Sequence, residues 1–204
     1  EPLRRRKPTT YFVNSMGDLF HEDVPDGWID RVFAVMALAP QHTFQVLTKR
    51  SARMLAYISR GDDEHGDYFE RLSDAAVSIA GSPCAAHVES ATWPLPNVWM
   101  GVSVERQQEA GARIPDLLAT PAAVRFVSAE PLLGLIRFDH IDGTPCLASA
   151  ASCCRGTTYV DALRGLQACE RAGAFSYPFK DTMPRGLDWV IVGGESGHGA
   201  RPMH

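Results

Sequence analysis

Polar residues that are capable of acid–base or binding chemistry follow five short apolar segments of the chain. Asp18 follows the first segment, Lys49 the second, Glu130 the fourth and Glu195 the fifth. A carboxylate can bind a cation, hold an amine or act as a general base, and an ammonium group can bind a carboxylate or a phosphate. We therefore take these four residues as candidate catalytic groups.

A second set of residues, at the same segment ends, could hold a cofactor or a substrate. They are Asn14, Glu105, Ser128, Gly193, Gly194 and Ser196. The stretch GGESG at residues 193–197 can present backbone N–H groups at a strand-to-helix turn, which suits an anion or a cofactor. Its glycine spacing differs from the dinucleotide-binding fingerprint, and no lysine follows as it does in a P-loop. A plain tight turn is the alternative interpretation.

Two of the charged candidates also have structural interpretations. Glu130 precedes Pro131, which pushes the glutamate backbone away from helical geometry and turns its carboxylate. Its alternative role is an ion pair, with Arg125 or Lys49 as the partner. Lys49 and Arg50 could bind a carboxylate or phosphate, or they could balance the charge of the glutamates at the other segment ends.

The sequence does not predict a metal site. The stretch NSMGDLFHE places Asn14, Asp18, His21 and Glu22 within nine residues, but it has no closely spaced histidine pair. Hydrogen bonding in a site, or helix capping by Asp18 or Asp23, is favoured over metal binding.

Four cysteines in the second half of the chain also fail to match a known ligand pattern. Cys146, Cys153, Cys154 and Cys169 follow the spacing C-x₆-C-C-x₁₄-C, which is neither that of a zinc ribbon nor that of an iron–sulfur protein. We interpret them as ordinary thiols.

The five apolar segments are predicted β-strands, because they are rich in β-branched and aromatic residues. They cover residues 11–13, 44–47, 98–102, 124–127 and 189–192. Most are continuously apolar, which is typical of strands that are buried on both faces of a parallel sheet.

Helical patterns lie between the predicted strands. Residues 23–38 place Val24, Trp28, Ile29, Val32, Phe33 and Met36 on one face, with Asp23 as a cap and Pro25 in the first turn. Further helices are predicted at residues 51–59, with Ser51 as a cap, and at 67–80. A weaker helix at 106–119 is expected to be interrupted by Gly111 and Pro115.

Alternating strands and helices predict an α/β fold with parallel strands. Two architectures compete, an open doubly wound sheet and a (β/α) barrel. Polar residues follow all five strands, and a barrel would gather them on one face. We therefore predict a single domain over residues 1–204, an incomplete parallel barrel that resembles a TIM barrel. Residues 139–186 are predicted to form a cysteine-bearing insertion before the last strand, with a small helix in VDALRGLQACERAG.

Composition and charge narrow the possible functions. The chain has 45% hydrophobic residues and a net charge of −4, which is ordinary for a globular protein and argues against broad binding of nucleic acid. The basic stretch at residues 4–7 is interpreted as a solvated chain end, with phosphate contact as the alternative. No apolar run approaches the roughly 18 residues that cross a membrane. The odd number of cysteines indicates reduced thiols, so we expect a cytoplasmic protein with no membrane partner.

Five stretches in the same order resemble one bacterial and phage family, which is named after phage gene products thirty-seven and sixty-eight. They are FVNSMGDLFHEDVP, HTFQVLTKR, LPNVWMGVSVE, ATPAAVRFVSAEPLLG and LDWVIVGGESGHGARPMH. The resemblance covers nearly the whole chain except residues 139–186. It implies a likeness to radical S-adenosylmethionine (SAM) proteins, with an incomplete α/β barrel that uses its strand ends to hold SAM and a substrate.

The family resemblance also implies a [4Fe–4S] cluster, held by three cysteines near the N-terminus, with one iron open to SAM. This sequence lacks that motif. We therefore expect a piece of a longer protein, or a degenerate copy, that does not hold the cluster. Its expected partner is an unknown small-molecule or nucleotide substrate.

Two other classes of function remain open. One is a hydrolase on the same barrel that depends on a metal or on acid–base groups and uses Asp18, His21, Glu130 and Glu195. The other is a non-catalytic interaction module, in which the open edges of the barrel pair with a second copy of the chain.

Overall fold

The structure is a computed structural model that describes residues 1–62, 67–142, 158–169, 175–178, 186–194 and 199–200. Its nine described strands are β1 (Thr10–Val13), β2 (Thr43–Thr48), β3 (Val98–Ser103), β4 (Val124–Ala129), β5 (Ile141–Asp142), β6 (Thr158–Asp161), β7 (Leu166–Cys169), β8 (Phe175–Pro178) and β9 (Trp189–Val192). The described helices are α1 (Asp26–Ala37), α2 (Ser51–Ile58), α3 (Asp67–Ala80), α4 (Pro83–Glu89) and α5 (Gln107–Ala119), with a 3₁₀ turn at Ser59–Asp62.

Five strands form one parallel sheet in the order β1-β2-β3-β4-β9. The order confirms the predicted α/β class, and the sheet is not closed. All five predicted strands are present. β3 and β4 are almost continuously buried, as expected for strands that are covered on both faces. Among the described helices, none is both long and apolar enough to span a membrane.

The chain divides into two compact units. The first is Glu1–Met100 with Pro121–Val124, and the second is Gly101–Thr120 with Arg125–His204.

The core of the first unit is a cluster of aromatic rings from α1, α2, α3 and the segment before β3. Tyr57 packs against Phe33, with ring centres 5.6 Å apart, and Tyr68 packs against Trp93 at 4.9 Å. The carboxylate of Asp30 is buried beside these rings. Tyr57 donates a hydrogen bond of 2.6 Å to it. Burial and the neighbouring acid raise the pKa of Tyr57 far above its ordinary value, so the hydroxyl keeps its proton.

A single amide ties the end of α1 to the start of the sheet. The side chain of Asn97 donates hydrogen bonds to the carbonyl oxygens of Met36, Ala39 and His42, at 3.1–3.3 Å. These carbonyl groups belong to the last turn of α1 and the loop after it, where helical partners are missing.

In the second unit, β4 and β9 pair in parallel, with Ala129 opposite Val192. Arg125 of β4 is buried, and its guanidinium donates hydrogen bonds to the carbonyl oxygens of Leu117 and Thr120 at the end of α5. A separate antiparallel sheet has the strand order β5-β6-β7-β8. Next to it, the ring of His140 stacks on Tyr159 with centres 4.1 Å apart.

Four predictions about local structure are wrong. The cap of α1 is Pro25 rather than Asp23, and Ser51 is the first residue of α2 rather than its cap. Trp28, expected on the buried face of α1, is 66% exposed. Helix α5 is not interrupted and runs through Pro115.

A fifth error concerns the insertion. The small helix predicted within VDALRGLQACERAG is absent from the described part of this segment, which belongs to the strand pair β6 and β7 and the turn between them. Cys146, Cys153 and Cys154 lie outside the described residues.

Candidate functional site

The carboxylate of Glu130 stands directly after β4 in the second unit. The hydroxyl of Ser128, itself a buried residue of β4, donates a hydrogen bond of 3.0 Å to Oε2 of Glu130. Glu130 is exposed, and it makes no ion pair with any residue that the structure describes. Among the residues that the structure describes, the carboxylate is therefore oriented by one neutral donor and is paired with no cationic side chain.

Gly193 follows β9 and lies against the same carboxylate. Its N–H donates to the carbonyl oxygen of Ala129 at 3.3 Å, and its own carbonyl accepts from the N–H of Leu132 at 2.8 Å. A Cβ atom at this position would overlap Oε1 of Glu130. The glycine therefore leaves room for the Glu130 carboxylate in its present position, and a side chain here would displace the carboxylate. We refer to Ser128, Glu130 and Gly193 as the Glu130 site.

Gly194 is exposed beside the Glu130 site. Glu195 and Ser196, which we predicted to be a catalytic and a cofactor-binding residue, lie outside the described residues.

Glu105, which follows β3, has a different environment. Its carboxylate forms an ion pair of 3.1 Å with Arg113 of α5, and both side chains are mostly buried. The hydroxyl of Ser103 lies 3.4 Å from the same carboxylate, and Arg113 also donates to the carbonyl of Ser103 at 2.6 Å. Glu105 thus joins α5 to the end of β3. We did not predict Arg113, although its position on a helix that follows β3 could have indicated the pairing.

In the first unit, Asp18 is surrounded by donors from the end of β2. Oδ1 accepts from the Thr48 hydroxyl at 2.7 Å and from the N–H of Phe20 at 2.9 Å, while Oδ2 accepts from the N–H of Lys49 at 2.9 Å. Arg50 lies 3.5 Å from Oδ2. This carboxylate fastens the loop after β1 to the end of β2, which is a structural role other than the helix capping that we considered for it.

The other predicted residues of the first unit are at the surface. Asn14 is exposed and has a positive φ of 59°, and its carbonyl accepts from the N–H of Gly17 to close a turn. The side chain of Lys49 is exposed. Nδ1 of His21 lies 3.2 Å from the N–H of Asp23.

The described residues contain no group of three histidine, cysteine or acidic side chains that could hold a metal ion. Cys84, on α4, is a free thiol.

Two features define the class of protein: an open, parallel α/β sheet, and polar groups at the carboxyl ends of its strands, where such sheets bind ligands. The chain belongs to the family described as "Protein of unknown function (DUF5131)", whose sequence model matches residues 1–204. Neither the curated proteins nor the solved structures include a significant match to the chain.

Proposed function

We propose that the chain is the core of a radical-SAM-like protein and that its second unit binds SAM at the Glu130 site. The observation that carries this proposal is the state of the Glu130 carboxylate. It is oriented by Ser128, lies against a glycine turn and has no ion-pair partner among the described residues. The negative charge is therefore available to a cationic ligand.

The chemistry of SAM fits such a carboxylate. SAM carries an ammonium group and a sulfonium centre, both positively charged at neutral pH, and one carboxylate, so that its net charge is positive. An ammonium group on Glu130 would form a charge-assisted hydrogen bond, which is shorter and stronger than a neutral one. The Ser128 hydroxyl holds the acceptor oxygen in place before the ligand arrives, and this lowers the ordering cost of binding.

The proposal covers SAM binding and includes no step on an iron–sulfur cluster. In radical enzymes SAM supplies a reactive carbon-centred radical after it has accepted an electron. The described part of the chain offers no set of three thiolates for a cluster, so no step is assigned to one.

The same proposal covers the architecture, the substrate and the remaining candidate residues. We propose that the open sheet is part of an incomplete barrel and that the substrate is a small molecule or a nucleotide. Glu195, Lys49 and Asp18 stay candidate catalytic residues, and Asn14, Glu105, Gly194 and Ser196 stay candidate ligand contacts. A cytoplasmic location is proposed because the odd number of cysteines suits reduced thiols.

Equilibrium dialysis with labelled SAM tests the proposal. Glu130→Gln removes the charge but keeps the shape, and we expect it to weaken SAM binding about tenfold, the scale of one hydrogen bond to a charged group. Ser128→Ala should weaken binding about threefold, because it removes one neutral hydrogen bond. The matched control is Glu70→Gln, at an exposed position of α3, which should bind SAM as the wild type does.

A second ligand separates charge recognition from recognition of the nucleoside. 5′-Methylthioadenosine lacks both the ammonium group and the sulfonium charge, so its affinity should be the same for the wild type and Glu130→Gln. Equal SAM affinity of these two proteins, or the absence of saturable SAM binding, would contradict the proposal.

The three hydrogen bonds that the Asp18 carboxylate accepts within its own unit favour a structural role for it and count against the hydrolase alternative. One observation favours an interaction module. β9 is at an edge of the described sheet, and its residues Trp189 and Val192 are 45% and 52% exposed. We therefore propose self-association through β9 as a second property, which is compatible with SAM binding.

A further inference from the structure

An open apolar groove lies in the first unit, beside β1 and α1. Its volume is about 490 Å³. Its walls are mainly aliphatic and aromatic side chains of β1, α1, β2 and α3: Phe12, Val13, Val32, Val35, Phe44 and Ile79. We call it the β1–α1 groove.

The groove exists because apolar residues of an edge strand and of a helix face the same space. Phe12 of β1 is 47% exposed, and Val32 and Val35, one helical turn apart on α1, are only half-buried. An exposed apolar surface of this kind commonly marks a site for a ligand or a partner. Its volume lies within the range of about 300–1,000 Å³ that is usual for small-molecule sites.

Two polar groups of the groove have unused hydrogen-bonding capacity. Arg31 of α1 lines the groove, is exposed, and makes no hydrogen bond or ion pair with any residue that the structure describes. The hydroxyl of Tyr11 is buried and has no hydrogen-bond partner within the described part of the chain. None of the described residues that line the groove is acidic, so the charge of this lining is positive.

We infer that the β1–α1 groove binds a free anionic amphiphile, that is, a small molecule with a carboxylate or similar acidic head and a hydrocarbon or aromatic body. The head pairs with the Arg31 guanidinium, which is suited to carboxylates. The body lies along Phe12, Val32 and Val35 and is removed from water. This ligand site lies in the first unit and does not depend on the Glu130 site of the second unit.

Titration calorimetry with simple amphiphiles, each below its micelle concentration, tests the inference. Decanoate should bind saturably at one site per chain, and octanoate should bind about fifteenfold more weakly, because each buried methylene strengthens binding about fourfold. Decylammonium has the same hydrocarbon chain with a positive head, and it should bind about threefold more weakly than decanoate, the scale of an exposed ion pair.

Charge reversal at Arg31 identifies the position of the head group. In Arg31→Glu the preference should invert, so that decylammonium binds better than decanoate. This reversal does not arise from partial unfolding, which would weaken both ligands. The matched control is Arg6→Glu, at another exposed arginine, which should keep the preference for decanoate.

A second variant fills the groove without changing its charge. Val35→Trp places a large ring among the lining residues and should reduce the affinity for decanoate at least tenfold while the far-ultraviolet circular dichroism is unchanged. The inference is overturned by any of three results: no saturable binding of decanoate, an unchanged head-group preference in Arg31→Glu, or binding to anionic phospholipid vesicles without binding of free decanoate. Displacement of decanoate by self-association of the chain would also overturn it, because a second copy would then occupy the groove.

Discussion

At the scale of the residue, three strand-end carboxylates differ in how their charge is compensated. Glu105 is held by Arg113, and Asp18 accepts hydrogen bonds from Thr48 and from two backbone N–H groups. Glu130 has one neutral donor and no ion-pair partner among the described residues. The charges of Glu105 and Asp18 stabilise the fold through these partners, whereas the charge of Glu130 has no such role among the described residues. We therefore assign the ligand to Glu130 rather than to the other two.

Asp26, the first residue of α1, should make the free energy of unfolding depend on pH. Hydrogen bonds from Arg60 and then from Arg53 lower the pKa of Asp26 below its ordinary value of 3.8. A carboxylate with a lowered pKa in the folded state stabilises the protein above its unfolded pKa, and this contribution is lost as the pH falls through the folded pKa. We expect Asp26→Asn to lower the free energy of unfolding by about 1 kcal/mol at neutral pH, since the side chain is partly exposed.

Urea denaturation at several pH values measures this contribution. The difference between Asp26→Asn and the wild type should shrink as the pH falls below the ordinary range of an aspartate. Asp74→Asn, at an exposed position of α3, is the control and should change little at any pH. A difference that is constant down to strong acid would show that the Asp26 charge is not involved.

The buried Tyr57–Asp30 hydrogen bond leads to a second residue-scale prediction. Tyr57→Phe removes the donor and leaves Asp30 with Arg71, whose Nε lies 3.3 Å away. We expect a loss of about 1–3 kcal/mol, the cost of removing one partner from a buried polar group. Tyr11→Phe is the matched control, because that hydroxyl has no partner in the described residues, and it should be neutral or slightly stabilising. Equal losses in the two variants by thermal denaturation would contradict this assignment.

Residue types were predictable at these positions, but their partners were not. Strand ends identified Ser128 and Glu130 as polar candidates. Their hydrogen bond to each other follows from the local geometry of β4, whereas the approach of Gly193 depends on which strand pairs with β4. Strand order in a parallel sheet is set by long-range packing, and a single sequence carries little information on it.

At the scale of the element, the strands were predictable because buried parallel strands are continuously apolar and bounded by polar residues. The secondary structure of the insertion was not predictable in this way. We predicted a small helix in VDALRGLQACERAG, but Asp161 accepts hydrogen bonds from the N–H groups of Leu163 and Arg164, and Gly165 has a φ of 68°. These are features of a tight turn between two strands, and the aspartate and glycine were the available signals.

Gly101 of β3 is packed closely against β4, and this packing predicts the effect of an alanine there. A Cβ atom at Gly101 would come within 2.5 Å of the Phe126 ring of β4. Gly101→Ala should therefore cost about 1–3 kcal/mol by overpacking, although alanine is the better strand residue. Gly27→Ala, on α1 with nothing within 4 Å, should instead stabilise the protein by about 0.5 kcal/mol. The two melting temperatures should shift in opposite directions, and a shift in the same direction would contradict the packing at Gly101.

At the scale of the whole molecule, the two units carry different proposed sites. The first holds the β1–α1 groove, whose lining is apolar with one arginine, and the second holds the Glu130 site, whose charge is negative. The charges predict different ligands. The first unit should bind an anionic amphiphile, and the second unit should bind a cationic ligand such as SAM. Neither ligand should compete with the other in a binding titration.

The proposed self-association depends on β9, an edge strand of the described sheet. An exposed edge strand can pair with a strand of another chain, and one lysine on that strand usually prevents it. We expect the sedimentation coefficient of the wild type to rise over about a hundredfold increase in concentration, as mass action requires. Val192→Lys, on β9, should remain monomeric. Leu135→Lys, at an 80% exposed position outside the strands, is the control and should behave as the wild type does. A wild-type protein that is monomeric throughout would refute the role of β9.

The most direct test of the central claim is a titration of the ¹⁵N-labelled chain with SAM, followed by amide chemical shifts. If Glu130 holds the ligand, the largest saturable shifts should occur at Gly193, which lies against the carboxylate, at Gly194, which follows it, and at Leu132, whose N–H donates to the Gly193 carbonyl. In Glu130→Gln the same shifts should need about tenfold more SAM for half-saturation. The same half-saturating SAM concentration in Glu130→Gln and in the wild type, or shifts that are confined to the residues around Asp18, would show that the Glu130 site is not the ligand site.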